Sequence, residues 1–198
     1  MITVLDYGIG NPRSVIRMLE ATGIEAVQAS SNESLRMSDR IIIPGVGSFD
    51  SCIKALNESG LRGTLDEMVM EHKVPVLGIC LGAQIMGNSS EEGIESGLRW
   101  IDMKSMRIRN VGLPVPHMSW ETVTFCNHYF ETLRPSLKFY FSHSFTITPE
   151  NPATIAASFQ YGDEYAAVVQ QGHLVAAQFH PEKSHRYGRL FLQWFNTL

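Results

Sequence analysis

No stretch of this sequence approaches the ~20 consecutive apolar residues that a membrane-crossing helix needs. Cysteine is scarce: Cys52, Cys80 and Cys126 are the only three, widely separated and with no CxxC pair. That spacing argues against a zinc site or a disulfide framework and fits a reducing compartment. There is no excess of positive charge either. The net charge of −4 gives no reason to expect general attraction to nucleic acid or anionic membranes. The one basic cluster, Lys104, Arg107 and Arg109, suits a solvated strand face as well as a contact patch. No His/Cys/Asp set has ligand spacing, so neither a metal nor another cofactor is expected. Repeats, linkers and low-complexity tracts are absent. The first residues enter a strand-like run, Ile2-Thr3-Val4-Leu5, without a basic leader. The expectation is a cytoplasmic protein.

What is present suits a sizeable core. The chain has 198 residues, 44% of them hydrophobic, enough for one domain spanning 1–198. Its first half alternates strand and helix signals. ITVLDYG reads as a strand and GIGN as a turn, and Pro12 suits the start of a helix running to about Thr22. IEAVQAS and RIIIPGVG follow as strands. SFDSCIKALNES and LRGTLDEMVMEH have helical spacing, VPVLGIC is a fourth strand, and LGAQIMG starts another helix. Such alternation implies a parallel sheet covered by helices on both faces. After about Gly97 short strand-like segments dominate, in part as antiparallel hairpins, and a helix over roughly 185–197 closes the chain. The fold class is therefore α/β, with a mostly parallel sheet flanked by helices and a β-rich second half.

In an open parallel sheet, ligands gather at the carboxyl ends of strands. Cys80 stands at such an end, inside Gly78-Ile79-Cys80-Leu81-Gly82. This G-x-C-x-G pattern has the mechanics of a nucleophile elbow, a tight strand-to-helix turn with no room for side chains beside the nucleophile. The following helix would aim its N-terminal dipole at the sulfur, and the Leu81 amide can donate to an oxyanion. Free cysteine is also among the most buried residue types, so the motif alone leaves both readings open. Cys52 lies on a helical pattern and reads as structural.

A nucleophilic thiol needs a positioned base. His180-Pro181-Glu182 follows an apolar strand, and Pro181 biases His180 toward extended geometry. In an extended chain residues two apart share a side, so Glu182 can reach the His180 ring. His117, His143 and His185 are read as loop residues without such a carboxylate. For an oxyanion hole, Pro44-Gly45-Val46-Gly47 at the end of the third strand offers backbone amides. Gly8-Ile9-Gly10-Asn11 follows a strand as a dinucleotide loop would, but Arg13 stands where the third glycine belongs, so nucleotide binding is not expected.

Together PGVG, GICLGAQ and QFHPEKS resemble the class I, triad-type glutamine amidotransferases in order and spacing over nearly the whole chain. More narrowly, DYGIGN, PGVGSF, SSEEG, PHMSW, FYFSHSF and FHPEKSHRYG resemble the glutaminase subunits of imidazole glycerol phosphate synthases. The resemblance implies a class I amidotransferase (flavodoxin-like) fold. It implies a triad of Cys80, His180 and Glu182 that hydrolyses L-glutamine through a γ-glutamyl thioester. It puts oxyanion donors at Leu81 and the Val46–Gly47 region. Substrate contacts fall at Gly47, Gln84, Ser144 and Phe145. It also implies a heterodimer with a (β/α)8 synthase subunit that receives the ammonia for imidazole glycerol phosphate formation in histidine biosynthesis. Asn11, Trp120 and Lys183 would lie at that contact.

The family pattern more often has glycine at Ser119, asparagine at Glu121, methionine at Ala83 and tyrosine at Phe145. GLRWIDMKSMRIR is similar to a second set of such subunits, which feed synthases of surface-polysaccharide amino sugars. Histidine biosynthesis is the favoured reading and that pathway its alternative. A non-catalytic interaction subunit and a stand-alone cysteine hydrolase are the readings of other classes.

Overall fold

A computed structural model describes residues 1–109, 112–126 and 137–198. Strands β1 (Ile2–Leu5), β2 (Ala26–Ala29), β3 (Arg40–Gly45) and β4 (Val76–Cys80) alternate with helices α1 (Pro12–Glu20), α2 (Asn32–Arg36), α3 (Phe49–Glu58) and α4 (Arg62–Asp66). The helical pattern after Arg62 divides, since a wider π turn, Glu67–Glu71, continues α4. After β4 come a one-turn helix α5 (Leu81–Gln84), then β5 (Ser89–Ser90), β6 (Met103–Arg107), β7 (His117–Phe125), β8 (Leu137–His143) and β9 (Phe145–Pro149). The chain ends with β10 (Ile155–Tyr161), β11 (Asp163–Gln171), β12 (Leu174–Ala177) and α6 (His185–Phe195).

The main sheet has the order β2-β1-β3-β4-β12-β11-β10-β7-β8, and β5-β6-β9 form a smaller one. Pairings from β2 across to β12 are parallel, and those beyond β12 are antiparallel. The change of direction follows the sequence: helical crossovers separate the early strands, whereas short turns join β10 to β11 and β11 to β12. The expected parallel sheet and the β-rich second half therefore meet in one continuous sheet.

The parallel strands are apolar throughout because both faces are covered. Along β3, Ile41 and Ile43 enter the core under α3 and α4, while Ile42 enters the core under α1 and α6. In β4, Val76 joins the first core, and Leu77 and Ile79 the second. This period-two alternation sends each side chain to a buried face. Phe139, Phe141, Phe159, Phe179 and Phe191 fill the second core as a cluster of ring contacts. Cys52 is fully buried in α3, as its helical pattern implied, and Cys126 is exposed.

Two glycines let α5 cross the end of β3 backbone against backbone. A Cβ at Gly82 would lie 2.0 Å from the Ile43 carbonyl oxygen, and one at Gly45 would lie 2.2 Å from the Gly82 nitrogen. Neither contact can relax by turning a side chain. Gly60 differs: its φ of +71° favours glycine, but nothing surrounds its Cβ position. Gly82→Ala is expected to cost more than about 3 kcal/mol through forced backbone displacement. Gly60→Ala should cost only about 1 kcal/mol through its left-handed backbone. Denaturant midpoints of the two variants check this order.

Candidate active site

Cys80 ends β4 with φ +53° and ψ −109°, a conformation that costs on the order of 1–3 kcal/mol in a non-glycine residue. This is the elbow geometry expected from the glycines around it. A Cβ at Gly78 would strike the Gly82 carbonyl and the Ala83 backbone at 2.6 Å. The helix behind the elbow is shorter than expected. Only Leu81–Gln84 are α-helical, because Gly87 and the 97–101 segment take over the backbone hydrogen bonds of the following residues. A one-turn helix has little macrodipole, so the sulfur depends on individual neighbours. The Ser142 carbonyl and Gln178 Nε2 each lie 3.9 Å from Cys80 Sγ.

His180 follows β12 on an extended backbone, φ −100° and ψ 95°. Pro181–Lys183 do not continue that extension but form a 3-10 turn. The turn still brings Glu182 Oε1 to 2.7 Å from His180 Nδ1, with the two side chains only 4% and 7% exposed. Ser184 secures the histidine from behind: its hydroxyl donates to the His180 carbonyl at 2.6 Å and accepts the Tyr140 amide at 3.0 Å. Burial pulls the imidazole's proton affinity down. Hydrogen bonding to Cys80 and then to Glu182, with their negative charge, more than offsets it and raises the His180 pKa to about 9. The ring is thus disposed to hold a proton between a thiol and a buried carboxylate, the relation a nucleophile–base–orienter set requires.

A cavity of about 280 Å3 opens over Cys80 and His180. Gly47, Val46, Leu81, Gln84, Ser144 and Phe145, singled out in the sequence, all line it. Gln84 turns its Nε2 to the Phe145 carbonyl at 2.9 Å and to Gln178 Oε1 at 3.3 Å, so its amide nitrogen braces the wall. The Tyr7 hydroxyl donates to the Pro44 carbonyl at 2.8 Å and lies 3.3 Å from Cys52 Sγ. This pair clamps the PGVG loop from the core side. The amides of Val46 and Gly47 (φ +99°) remain the loop's candidate donors. Burial pushes the Cys52 thiol up to about 11, consistent with its structural place.

The sequence reading missed Glu92, which also lines the cavity. Glu92 Oε2 accepts the Phe49 amide at 2.8 Å. Asp50 holds its loop through the amides of Ile94 and Glu95 at 3.1 and 3.0 Å. The signal was the SSEEG segment itself, an acidic pair closed by a glycine that leaves no room for a Cβ against Asp50. Gln178, fully buried, was also missed.

The three expected contact residues lie on the side of the site that carries His180 and Glu182. Asn11 and Lys183 line a second cavity of about 260 Å3 with Pro44, Gly45, Val46, His180 and Glu182. The Asn11 side-chain oxygen caps α1 through the Ser14 amide at 3.1 Å. Trp120 is 41% exposed, stacked on His185 and edge-on to Tyr140, over which Lys183 Nζ also lies.

Two histidine assignments need correction. His117 and His143 are not loop residues but face each other across β7 and β8. Nor is a carboxylate missing: Glu121 Oε1 is 3.1 Å from His117 Nε2. The two readings fail because the β7–β8 pairing and the contact of side chains four residues apart are tertiary features that periodicity does not show. Among the described residues no His/Cys/Asp/Glu group could hold a metal ion, and no helix is long and apolar enough to cross a membrane.

Known proteins match this chain in sequence and in fold. The family model of class I glutamine amidotransferases matches residues 3–195. An imidazole glycerol phosphate synthase subunit HisH 2 of Pseudomonas aeruginosa is 42% identical over 201 residues, covering all of both chains. A subunit HisH of Bdellovibrio bacteriovorus is 39% identical over 204 residues, again over all of both. Among solved structures, a glutamine amidotransferase superposes with a TM-score of 0.77 at 22% identity, covering 99% of this chain and 97% of the other, a likeness of fold. This chain belongs to the class I glutamine amidotransferase family.

Proposed function

We propose that this chain is the glutamine-hydrolysing subunit of an imidazole glycerol phosphate synthase, supplying ammonia to a (β/α)8 synthase subunit in histidine biosynthesis. The observation that carries this reading is His180, buried between Cys80 and Glu182 on the wall of the cavity. Cys80 attacks the carboxamide carbon of glutamine as its thiolate. His180 gives the proton it took from the thiol to the departing nitrogen; the C–N bond breaks, ammonia leaves and a γ-glutamyl thioester remains. Water then adds to the thioester, His180 takes its proton, and the C–S bond breaks to release glutamate and restore the thiol. The Leu81 amide and the amides of the Val46–Gly47 region receive the oxyanion. Glu92, with one oxygen already held by Phe49, offers the other to the α-ammonium of glutamine. The whole chain acts as one amidotransferase domain, and its free thiols suit the cytoplasm.

Asn11, Trp120 and Lys183 form the partner face. The family resemblance in the partner-side segments supports a heterodimer, and Gly10 supports coupling: its Cβ position is 3.1 Å from Pro44, so the GIGN loop touches the PGVG loop. A partner pressing on GIGN can thereby favour the peptide orientation that aims the Gly47 amide at the oxyanion. Ser119 and Glu121, on the same strand as Trp120, favour a second reading, in which the partner is a synthase of polysaccharide amino sugars.

Mixing the purified chain with each synthase and following glutamate and aminated product decides between them. Glutamate release should rise with the true partner and acceptor and fall by at least about 10³-fold in Cys80→Ala. Unchanged release by Cys80→Ala would falsify the mechanism, and equal rates with and without any synthase would remove the subunit role. Trp120→Ala should weaken the complex by about 2 kcal/mol while leaving glutamine hydrolysis by the isolated chain intact, read by calorimetric titration and glutamate release.

His180 also links stability to pH. Its folded pKa, about 9, exceeds the usual value of 6.5, so the folded state binds the extra proton. The stabilisation is complete below pH 6.5 and disappears as pH rises through 9, a change of up to about 3 kcal/mol. The unfolding free energy of wild type minus that of His180→Gln should decline over that window. A flat difference would show that the ring is not protonated in the resting site.

A further inference from the structure

A buried amide outside the triad faces the nucleophile. Gln178 follows the last residue of β12, and its backbone N–H donates to the Ala167 carbonyl at 2.9 Å. β12 runs parallel to β4 with Ala177 beside Ile79, so the next pair in register sets Gln178 next to Cys80. Residues two apart in an extended chain share a side. Gln178 and His180 therefore both face the sulfur, while Phe179 between them enters the second core. The Gln178 side chain is fully buried.

Neighbouring donors fix the orientation of its amide. The Ile147 backbone N–H, which can only donate, lies 3.2 Å from Gln178 Oε1. Gln84 Nε2 lies 3.3 Å from the same oxygen. Gln84 cannot be turned round, because its nitrogen also meets the Phe145 carbonyl at 2.9 Å. Two donors thus converge on one atom of Gln178, which must be the oxygen. Nε2 is left facing Cys80 Sγ at 3.9 Å, the one acceptor it meets among the described residues. A buried N–H without an acceptor is costly, and a neutral thiol sulfur is a weak acceptor. The Ser142 carbonyl lies at the same distance from the sulfur. These two neighbours suit different protonation states: a carbonyl accepts S–H, whereas an amide N–H donates to a thiolate.

We infer that Gln178 is a catalytic donor to the Cys80 thiolate, a preorganised amide that stabilises the charged sulfur before its attack and again when the thioester is cleaved. Ile147 and Gln84 hold its oxygen, so the amide needs no reorganisation when charge appears on the sulfur. The contact shortens as the sulfur ionises, since hydrogen bonds to charged groups are the shorter ones. The inference rests on the proposed glutaminase reading only for its effect on turnover. The donor and its sulfur are features of the chain itself. The titratable groups around the sulfur are His180 with Glu182 behind it, Cys52, and His143, Glu92 and Lys183 on the cavity wall. Replacing Gln178 leaves all of them in place.

Alkylation of Cys80 by iodoacetamide, followed by mass spectrometry of its peptide, reads the thiolate without any substrate. The exposed Cys126 is the internal standard. Gln178→Met keeps the side-chain length and removes the amide. Near pH 7 it should lower the Cys80 rate about tenfold, the size of one hydrogen bond to a charged group, and leave Cys126 unchanged. Above about pH 10, where a thiol ionises without help, the variant and wild type should differ less than about twofold. In glutamine hydrolysis the variant's kcat should fall about tenfold, with KM changed less than about twofold.

The side-chain 1H–15N signal of Gln178 tests the contact without a variant at that position. It should move with pH in step with alkylation in wild type and stay in place in Cys80→Ala. Equal Cys80 alkylation of Gln178→Met and wild type near pH 7, or an equal loss at both pH values, overturns the inference. So does a Gln178 signal that is unmoved in wild type or moves alike in Cys80→Ala. If wild type releases no glutamate under any condition, the proposed function fails, and alkylation with the amide signal still decides the role of Gln178.

Discussion

The site depends on one steric constraint, the crossing of α5 over the end of β3 with no side chain between them. Gly82 lies against the Ile43 carbonyl and Gly45 against the Gly82 nitrogen. This contact forces the chain to turn within one residue after β4, and Cys80 takes up the turn in its left-handed φ. The same contact fixes the distance between the Leu81 amide and the PGVG loop, the two candidate sources of oxyanion donors. An elbow that must be strained is held by packing on all sides: β3 and β12 flank β4 in register, and both cores close on it. The energy stored at Cys80 is small beside that burial, which is why a reactive geometry can persist in the resting fold.

The carboxyl end of the same sheet carries two buried histidines with opposite proton affinities. His180 has the thiol of Cys80 and the carboxylate of Glu182 as neighbours, and these overcome the cost of burying a cation. His143 has a carbonyl, a second imidazole and aromatic rings, and its hydrogen bond to the Phe145 carbonyl is too weak to offset its burial. One ring is therefore suited to moving a proton and the other to holding a fixed hydrogen bond. Both lie along the same cavity, and the Ser142 carbonyl sits near Cys80 Sγ just before His143 in the chain. Division of labour between chemically identical side chains follows from their neighbours alone.

Much of this was legible before the coordinates. Apolar runs such as RIIIPG and VLGIC read as buried parallel strands because nothing but two covered faces tolerates them. Glycine spacing around Cys80 and the H-P-E triplet gave the elbow and its base because those are short-range demands. The length of α5 was not legible. LGAQIMG has good helical spacing, and only the tertiary hydrogen bonds of the 97–101 segment divert it after one turn. His180 and Glu182 were paired for a partly wrong reason, since a 3-10 turn rather than an extended strand brings them together. The His117–His143 pair was missed because it depends on the register of β7 with β8, a long-range quantity. Glu92 was missed because a carboxylate in an acidic surface-like segment shows nothing of the cavity it borders.

Contact between the two glycine loops has a further consequence for control. Asn11 caps α1 and Gly10 touches Pro44, whose carbonyl is already held by Tyr7. With the base of the loop fixed at Pro44, the open part lies beyond it, where Val46 is exposed and Gly47 has open space around its Cβ position. A force applied at the GIGN loop thus meets a rigid base before it reaches the open part of the loop. In the proposed heterodimer this arrangement favours reorientation of the Val46–Gly47 region over diffuse loosening of the site. His180 is anchored separately, through Ser184 and Tyr140, so it need not move with the loop.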